Sequence, residues 1–267
     1  MKRAKEDVLC AINVWSSLLE ETFGSRLEYA YAKGSAVKNW NSPADYVPVI
    51  SDLDMHVMMT DSDSLFPENK TGFDLAISVS RKYEDCFREM RDEFLHIPRA
   101  QVVHINPVLE DPSFILPQVS DVHIMIGSPK DGQLLSPEEI RLIDRKQIQD
   151  VSEYLMDLPR QTFDRVGLDF WALLRRMNWR VSPSPTRLLT QNHPDPLTVW
   201  HWNRTQIIRN LIEQGYANIA DSYRKFYDVG WKLFLSAFTD YDELREIIVH
   251  GQSVLQKCLD EVQKYET

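Results

Sequence analysis

Two aspartates, Asp52 and Asp54, stand one residue apart in a short apolar stretch of the 267-residue chain. In a β-strand, side chains two residues apart point to the same side, so both carboxylates would lie on one face and Leu53 and Met55 on the other, in the core. Two carboxylates this close repel each other unless a cation compensates their charge. Mg²⁺ prefers hard oxygen ligands and often binds one or two carboxylates together with substrate phosphates. The pair therefore predicts a Mg²⁺ (or Mn²⁺) site.

A Gly-Ser pair, Gly34 and Ser35, ends the alternating stretch LEYAYAKGS that precedes the aspartates. Glycine allows the backbone to turn and leaves room for a ligand, while Ser35 offers a hydroxyl and a backbone N–H. If the next residues begin a helix, the N-terminus of that helix attracts phosphate. A phosphate-binding turn facing metal-binding carboxylates indicates phosphoryl or nucleotidyl transfer, because the metal positions the reactants and neutralises developing charge.

Hydrophobic periodicity predicts the elements that must position these residues. In the first half, strands alternate with helices: strands at LEYAYAKG, SDLDMHVMM, RAQVVHINPV and SDVHIMIG, and helices over 3–22 and 73–95. After Gly127 the periodicity is helical only, with a capping box at Ser136 and Glu139 and a Pro-rich hinge in RVSPSPTRLLTQNHPDP. We expect an α/β (α+β) fold: a small mixed-sheet domain over 1–130, then an all-α helical bundle over 131–267, with substrate between them.

Composition limits the classes of function. The net charge is −10, which disfavours nucleic acid as a partner because such binding relies on Lys and Arg to neutralise phosphates. No apolar run reaches the roughly 20 residues that span a membrane, and the N-terminus does not read as a signal peptide. The three cysteines have no paired spacing, so neither a disulfide framework nor a zinc site is indicated. We expect a cytoplasmic protein with no membrane association; the sequence leaves an oligomer open.

The stretch from Gly34 to Asp54 resembles the signature of the nucleotidyltransferase superfamily: Gly-Ser, a variable loop, then Asp-hydrophobic-Asp-hydrophobic. Aminoglycoside adenylyltransferases and kanamycin nucleotidyltransferase share this pattern, as does DNA polymerase β more remotely. The run SDLD (51–54) matches fully, whereas Lys38 stands where an arginine is usual and Asn39 replaces a second glycine. The resemblance covers roughly residues 1–130 and implies a nucleotidyltransferase fold for them.

The resemblance also implies an activity, the Mg²⁺-dependent transfer of a nucleoside monophosphate from a nucleoside triphosphate (ATP is expected) to a hydroxyl of a small-molecule acceptor. In that interpretation Asp52 and Asp54 hold the metal, and the nucleotide is bound by Gly34, Ser35, Lys38 and Ser51. Two alternatives stay open. The chain is a degenerate member that binds nucleotide or a partner without efficient transfer, or it modifies RNA or protein, of which RNA is disfavoured by the acidic charge.

A third carboxylate, usual in active members on a later strand, is missing from RAQVVHINPV. Gln101 or His104 occupies the expected place. His104 could replace the carboxylate as general base, because a histidine near its normal pKa accepts a proton. Alternatively a downstream acid, Asp121 or Glu110, could reach the site. The remaining alternative is that no base exists and the protein transfers poorly.

Overall fold

The computed structural model describes residues 1–111, 114, 116–130 and 135–264. They form a mixed α/β structure with one four-stranded mixed sheet. The chain divides into two compact units, which we call the first unit (residues 1–39 and 51–133) and the second unit (residues 40–50 and 134–267). No helix within the described ranges is long and apolar enough to span a membrane.

The first unit contains the sheet, and each strand predicted by alternation is present. Its elements are α1 (Lys2–Phe23), β1 (Leu27–Lys33), β2 (Leu53–Met59), α2 (Lys70–Met90), β3 (Ala100–His104) and β4 (His123–Ile126). The strand order is β3-β2-β1-β4. β1 pairs antiparallel with β2 and β4, whereas β2 and β3 are parallel and α2 lies between them in the chain. The C-terminal end of β1 therefore lies beside the N-terminal ends of β2, β3 and β4.

One face of the sheet packs against α1. Leu53 and Met55 are fully buried, which confirms the prediction that they point into the core. Leu19 of α1 packs in the same cluster as Ala30 and Val57 of the two central strands. Because this face is apolar, the residues between them in β2, including Asp54, lie on the opposite face.

The second unit is helical in its described part. Its elements are α3 (Pro137–Gln149), α4 (Val151–Thr162), α5 (Asp169–Val181), α6 (Ser184–Thr190), α7 (Pro196–His201), α8 (Arg204–Glu213), α9 (Ala217–Leu235) and α10 (Tyr241–Gln263). The capping box that opens α3 is confirmed, since the Ser136 hydroxyl accepts the Glu139 N–H and the Glu139 carboxylate accepts the Ser136 N–H. The helices α3 and α4 meet at Asp150, which ends the first and begins the second.

The Pro-rich stretch after α5 is a buried helix, so its prediction as a hinge was wrong. Pro185 occupies the first turn of α6, where a proline costs nothing because that N–H has no helical partner. Leu188 and Leu189 are fully buried in the core of the second unit. Burial of these leucines, rather than the proline spacing, decides the local structure.

Residues 40–50 form part of the second unit, although they lie between β1 and β2 in the sequence. Val47 and Ile50 are in its hydrophobic core. The Asp45 carboxylate accepts the backbone N–H of Thr205 at 2.8 Å and its hydroxyl at 2.7 Å. The Arg204 guanidinium donates to the carbonyl of Asp45 at 3.2 Å. The sequence interpretation had kept these residues in the domain of residues 1–130.

Candidate functional site

The polar residues of the first unit lie in rows across one face of the sheet. Strand register places Lys33 of β1, Asp54 of β2 and Gln101 of β3 opposite one another. The next row, further along the strands, contains Tyr31 and His56. Residues paired in this way share a face, so the charged row stands at the end of the sheet where β1 ends and β2 and β3 begin. We call this place the carboxylate end.

Asp52 directly precedes β2 and forms a two-pronged ion pair with Arg99, which directly precedes β3. Arg99 Nε lies 3.0 Å from Asp52 Oδ1, and Arg99 Nη2 lies 2.6 Å from Asp52 Oδ2. The backbone fixes this pairing, because the Leu53 N–H donates to the Arg99 carbonyl at 2.9 Å. The Asp52 side chain is 5% exposed and that of Arg99 is 44% exposed. Both carboxylate oxygens of Asp52 thus accept charged hydrogen bonds from one guanidinium.

Gly34 forms the turn after β1 in a left-handed conformation, with φ of +78°. A Cβ atom at this position would lie 2.9 Å from Asp54 Oδ2. Both the backbone conformation and the close approach require glycine here. The turn predicted from the Gly-Ser pair therefore lies directly against the carboxylate of Asp54.

The expected phosphate-binding helix after Gly34 does not form. Gly34–Ala36 is a single 3₁₀ turn. The Gly34 carbonyl accepts the backbone N–H groups of Val37 and Lys38, each at 3.3 Å. The turn is too short to carry a helix dipole of useful size, so a ligand here would depend on individual N–H groups and nearby side chains.

Two groups on the polar face of the sheet, Lys33 and His56, have lowered pKa values. Burial lowers the pKa of Lys33, and the charge of Asp54 opposite partly offsets this by raising it. Burial and, to a lesser degree, the charge of Lys33 lower the pKa of His56 to about 3. His56 Nδ1 lies 2.9 Å from the Tyr31 hydroxyl. A neutral, hydrogen-bonded His56 is a poor base at neutral pH, so its contact with Tyr31 is structural.

The structure separates the candidates for the missing acid. Gln101 lies opposite Asp54, and its Oε1 is 3.4 Å from Arg99 Nη2. His104 lies opposite Val57, on the face that packs against α1, and so does not join the carboxylates. Asp121 is in a 3₁₀ turn (Val119–Asp121) just before β4, at the carboxylate end but across β1 from Asp54.

The other predicted residues divide between the two ends of β2 and β3. Ser35 and Lys38 lie in and just after the Gly34 turn, both half-buried. Ser51 is buried immediately before Asp52. Glu110 is exposed in a 3₁₀ turn that follows β3, at the opposite end of the strand from Arg99. Of the acids considered as replacements, only Asp121 lies at the carboxylate end.

The side chains present do not fit the expected Mg²⁺ site. Arg99 engages both oxygens of Asp52, Lys33 stands opposite Asp54 on one side, and the amide of Gln101 lies opposite it on the other. A metal ion bound to Asp52 and Asp54 would have to displace the guanidinium or share the carboxylate with it. Across the described ranges, no three His, Cys, Asp or Glu side chains are arranged to hold a metal.

A cavity of about 480 Å³ in the first unit lies on the face of the sheet that packs against α1. Trp15 of α1, Val79 and Tyr83 of α2, and Val102 of β3 contribute to its walls. Val102 lies opposite Met55, on the core face. Arg99 also lines the cavity, so this one residue contacts both the apolar space and the polar face.

Three aromatic and basic residues of the second unit, Arg175, Trp200 and Arg204, contact other residues of that unit. Arg175 donates to the carbonyls of Val49 and Ile50, at 3.0 and 3.1 Å. The Trp200 indole donates to Asp144 at 3.1 Å. The Arg204 guanidinium lies 4.0 Å from the ring centroid of Tyr227. Packing within the second unit accounts for these contacts.

The sequence interpretation missed Lys33 and Arg99. Neither residue can be recognised from local sequence, because only the strand register shows that Lys33 lies opposite Asp54 and that Arg99 lies beside Asp52. Comparison with known proteins adds no further assignment: no protein-family model, curated protein or solved structure is significantly similar to the chain.

Proposed function

We propose that the first unit is a nucleotidyltransferase-type domain that binds the phosphates of a nucleoside triphosphate at the carboxylate end, without efficient transfer. The second unit would then be the helical domain that often follows such a fold. The observation that carries the proposal is the left-handed Gly34 turn, whose glycine brings the main chain close to the Asp54 carboxylate. ATP is the nucleotide expected.

The Gly34 turn leaves its main chain open to a close neighbour. With no Cβ on Gly34, another group can come near the main chain, and the Asp54 carboxylate does so. Ser35 adds a hydroxyl, and Lys38 follows after one short turn. These are the residues that the resemblance assigns to phosphate binding, and strand β1 delivers them to the charged row.

The charges at this end favour binding over catalysis. Lys33 and Arg99 supply two positive charges beside Asp52 and Asp54, so the four groups together are close to neutral when all are ionised. A polyphosphate can then approach without a divalent cation to offset the aspartates. Transfer needs more: a group that activates the acceptor hydroxyl, and stabilisation of charge on the transferred phosphate. Gln101 is neutral over the useful pH range and cannot act as that base.

Binding of ATP to the full chain tests the proposal. Calorimetric titration should detect one site in the wild type, weakened in Gly34→Val, because a β-branched side chain obstructs the phosphate and strains the left-handed turn. Both proteins must first show the same circular dichroism spectrum. A folded Gly34→Val variant that binds ATP normally would show that Gly34 only turns the chain.

Metal-dependent nucleotidyl transfer to a small-molecule hydroxyl is the competing proposal. The spacing of Asp52 and Asp54 favours it, as does the 44% exposure of Arg99, which leaves the guanidinium room to move aside. Incubation with labelled nucleoside triphosphates, Mg²⁺ or Mn²⁺ and a panel of acceptors decides between the two. We expect no labelled product; product that disappears in Asp54→Asn would establish transfer.

A further inference from the structure

We infer that Arg99 is a built-in substitute for a divalent cation, so that the wild-type carboxylate end binds no such metal and removal of Arg99 creates a metal site. The inference rests on the site of the proposed function, but it does not require that nucleotide bind there. It assigns Arg99 a role that the sequence pattern alone would give to a bound ion.

The contacts of Arg99 are those that a metal would make. A cation between paired carboxylates must bind oxygen atoms and offset their charge. The Arg99 guanidinium contacts both oxygens of Asp52 at 3.0 and 2.6 Å and the amide oxygen of Gln101 at 3.4 Å. Asp52 is almost fully buried, so it needs a compensating charge, and Arg99 is the residue that provides it.

The position of Arg99 is fixed by the strands. Its carbonyl accepts the Leu53 N–H, and the parallel register continues through Leu53 with Ala100 and Asp54 with Gln101. Arg99 therefore stands beside Asp52 as Gln101 stands beside Asp54. A guanidinium held by this backbone cannot leave with a ligand, unlike a bound ion.

Once Arg99 is removed, the two oxygen atoms that its Nη2 contacts, Asp52 Oδ2 and Gln101 Oε1, remain at the site. Asp54 lies opposite Gln101 in the register of β2 and β3 and adds a second carboxylate there. These are ligands of the kind that Mg²⁺ and Mn²⁺ bind. Without Arg99, the buried Asp52 carboxylate loses the cation that contacts both its oxygens, which favours a metal ion there; in the wild type a metal ion would compete with that permanent cation.

Mn²⁺ alone, without nucleotide, is the probe for this inference. In titrations followed by electron paramagnetic resonance, we expect Arg99→Gln to bind one Mn²⁺ over a concentration range in which the wild type binds none. The gain should vanish in Arg99→Gln/Asp52→Asn. Mn²⁺ should also raise the melting temperature of Arg99→Gln and leave that of the wild type unchanged.

Arg160→Gln is the matched control, because Arg160 also forms a two-pronged pair, with Asp157 on the surface of α4, at 2.7 and 3.0 Å. It should gain no Mn²⁺ site. A folded Arg99→Gln that gains none either would overturn the inference. The inference would also be overturned if the wild-type protein bound one Mn²⁺ and Asp54→Asn abolished that binding. This second test does not depend on whether Arg99→Gln folds. Since no nucleotide is present, neither result depends on whether ATP binds.

Discussion

Two carboxylate–arginine pairs, one in each unit, show opposite ways of keeping a buried aspartate. In the first unit, the Arg99 guanidinium binds both oxygens of Asp52 and is itself 44% exposed. In the second unit, Arg187 Nε lies 3.7 Å from Asp144 Oδ1, and the two side chains are 20% and 2% exposed. The first pair is in close contact and half open to water; the second is buried and loose.

The groups that donate hydrogen bonds to Asp144 are neutral. The Thr190 hydroxyl donates to it at 2.8 Å and the Trp200 indole at 3.1 Å. Burial raises the pKa of Asp144 to about 6, although these bonds and the charge of Arg187 act to lower it. Burial also lowers the pKa of Arg187. Neutral donors fix the Asp144 side chain at short range, which suits a structural role, whereas Asp52 is held by a guanidinium that is half open to water.

The largest expected effect is at Asp144. Asp144→Ala removes both neutral hydrogen bonds and leaves Arg187 buried without its carboxylate, which should cost about 3–5 kcal/mol of unfolding free energy. Urea denaturation measures it. Asp221→Ala removes an exposed helical pair with Lys225 and should change stability by less than about 0.5 kcal/mol. Equal costs for the two substitutions would mean that burial does not distinguish them.

A pH dependence should separate the two aspartates next. Because the pKa of Asp144 rises from 3.8 to about 6 on folding, the folded chain holds this proton more tightly than the unfolded chain. The resulting stabilisation is present in full below pH of about 4 and is lost as the pH rises to about 6, roughly 3 kcal/mol in all. Asp144→Asn should lack this loss. Parallel curves for wild type and Asp144→Asn between pH 4 and 7 would contradict the assignment.

A smaller loss is expected for Asp52→Asn, about 1–2 kcal/mol, because the Arg99 side chain is exposed enough to become hydrated when its partner loses charge. Denaturation at low and high salt measures it, and part of the loss should disappear at high salt. A cost as large as that of Asp144→Ala would show that the Asp52 pair is as essential to the fold as the buried one.

A similar or smaller loss than at Asp52 is expected at two glycines with positive φ, Gly34 at +78° and Gly215 at +87°. Alanine at either position pays for the left-handed backbone, about 1 kcal/mol. Only at Gly34 does the new Cβ meet another residue, whereas nothing lies within 4 Å of it at Gly215. Calorimetry should therefore show weaker ATP binding in Gly34→Ala and normal binding in Gly215→Ala. Equal ATP affinities would remove Gly34 from the binding site.

Local patterns in the sequence were enough to predict the strands and the approach of the Gly-Ser turn to the aspartates. Alternation gives the faces of β2, and the order of strands brings Gly34 to Asp54. Local patterns could not reveal Arg99, because its meaning depends on the parallel register of β2 and β3, which are separated by α2. The same limit explains why the prediction that His104 lies at the site was wrong. The register pairs His104 with Val57, on the face of the sheet opposite to Asp54.

The second unit shows that prolines alone do not predict where helices are interrupted. Pro183 and Pro185 suggested a hinge, yet Pro185 sits in the first turn of α6, where the helix tolerates it. Residues 40–50 were assigned to the α/β half, but Asp45 in this segment contacts Thr205 and Arg204, which are far from it in the sequence. Only tertiary packing decides such cases.

The central claim is that the carboxylate end binds polyphosphate with its own cations in place of a metal. Titration of the wild-type chain with ATP, once in excess EDTA and once in Mg²⁺, tests it most directly. The account predicts one site in both, with affinities within about threefold of each other, because Lys33 and Arg99 already offset Asp54 and Asp52. Binding that appears only with Mg²⁺ and is lost in Asp54→Asn would contradict it.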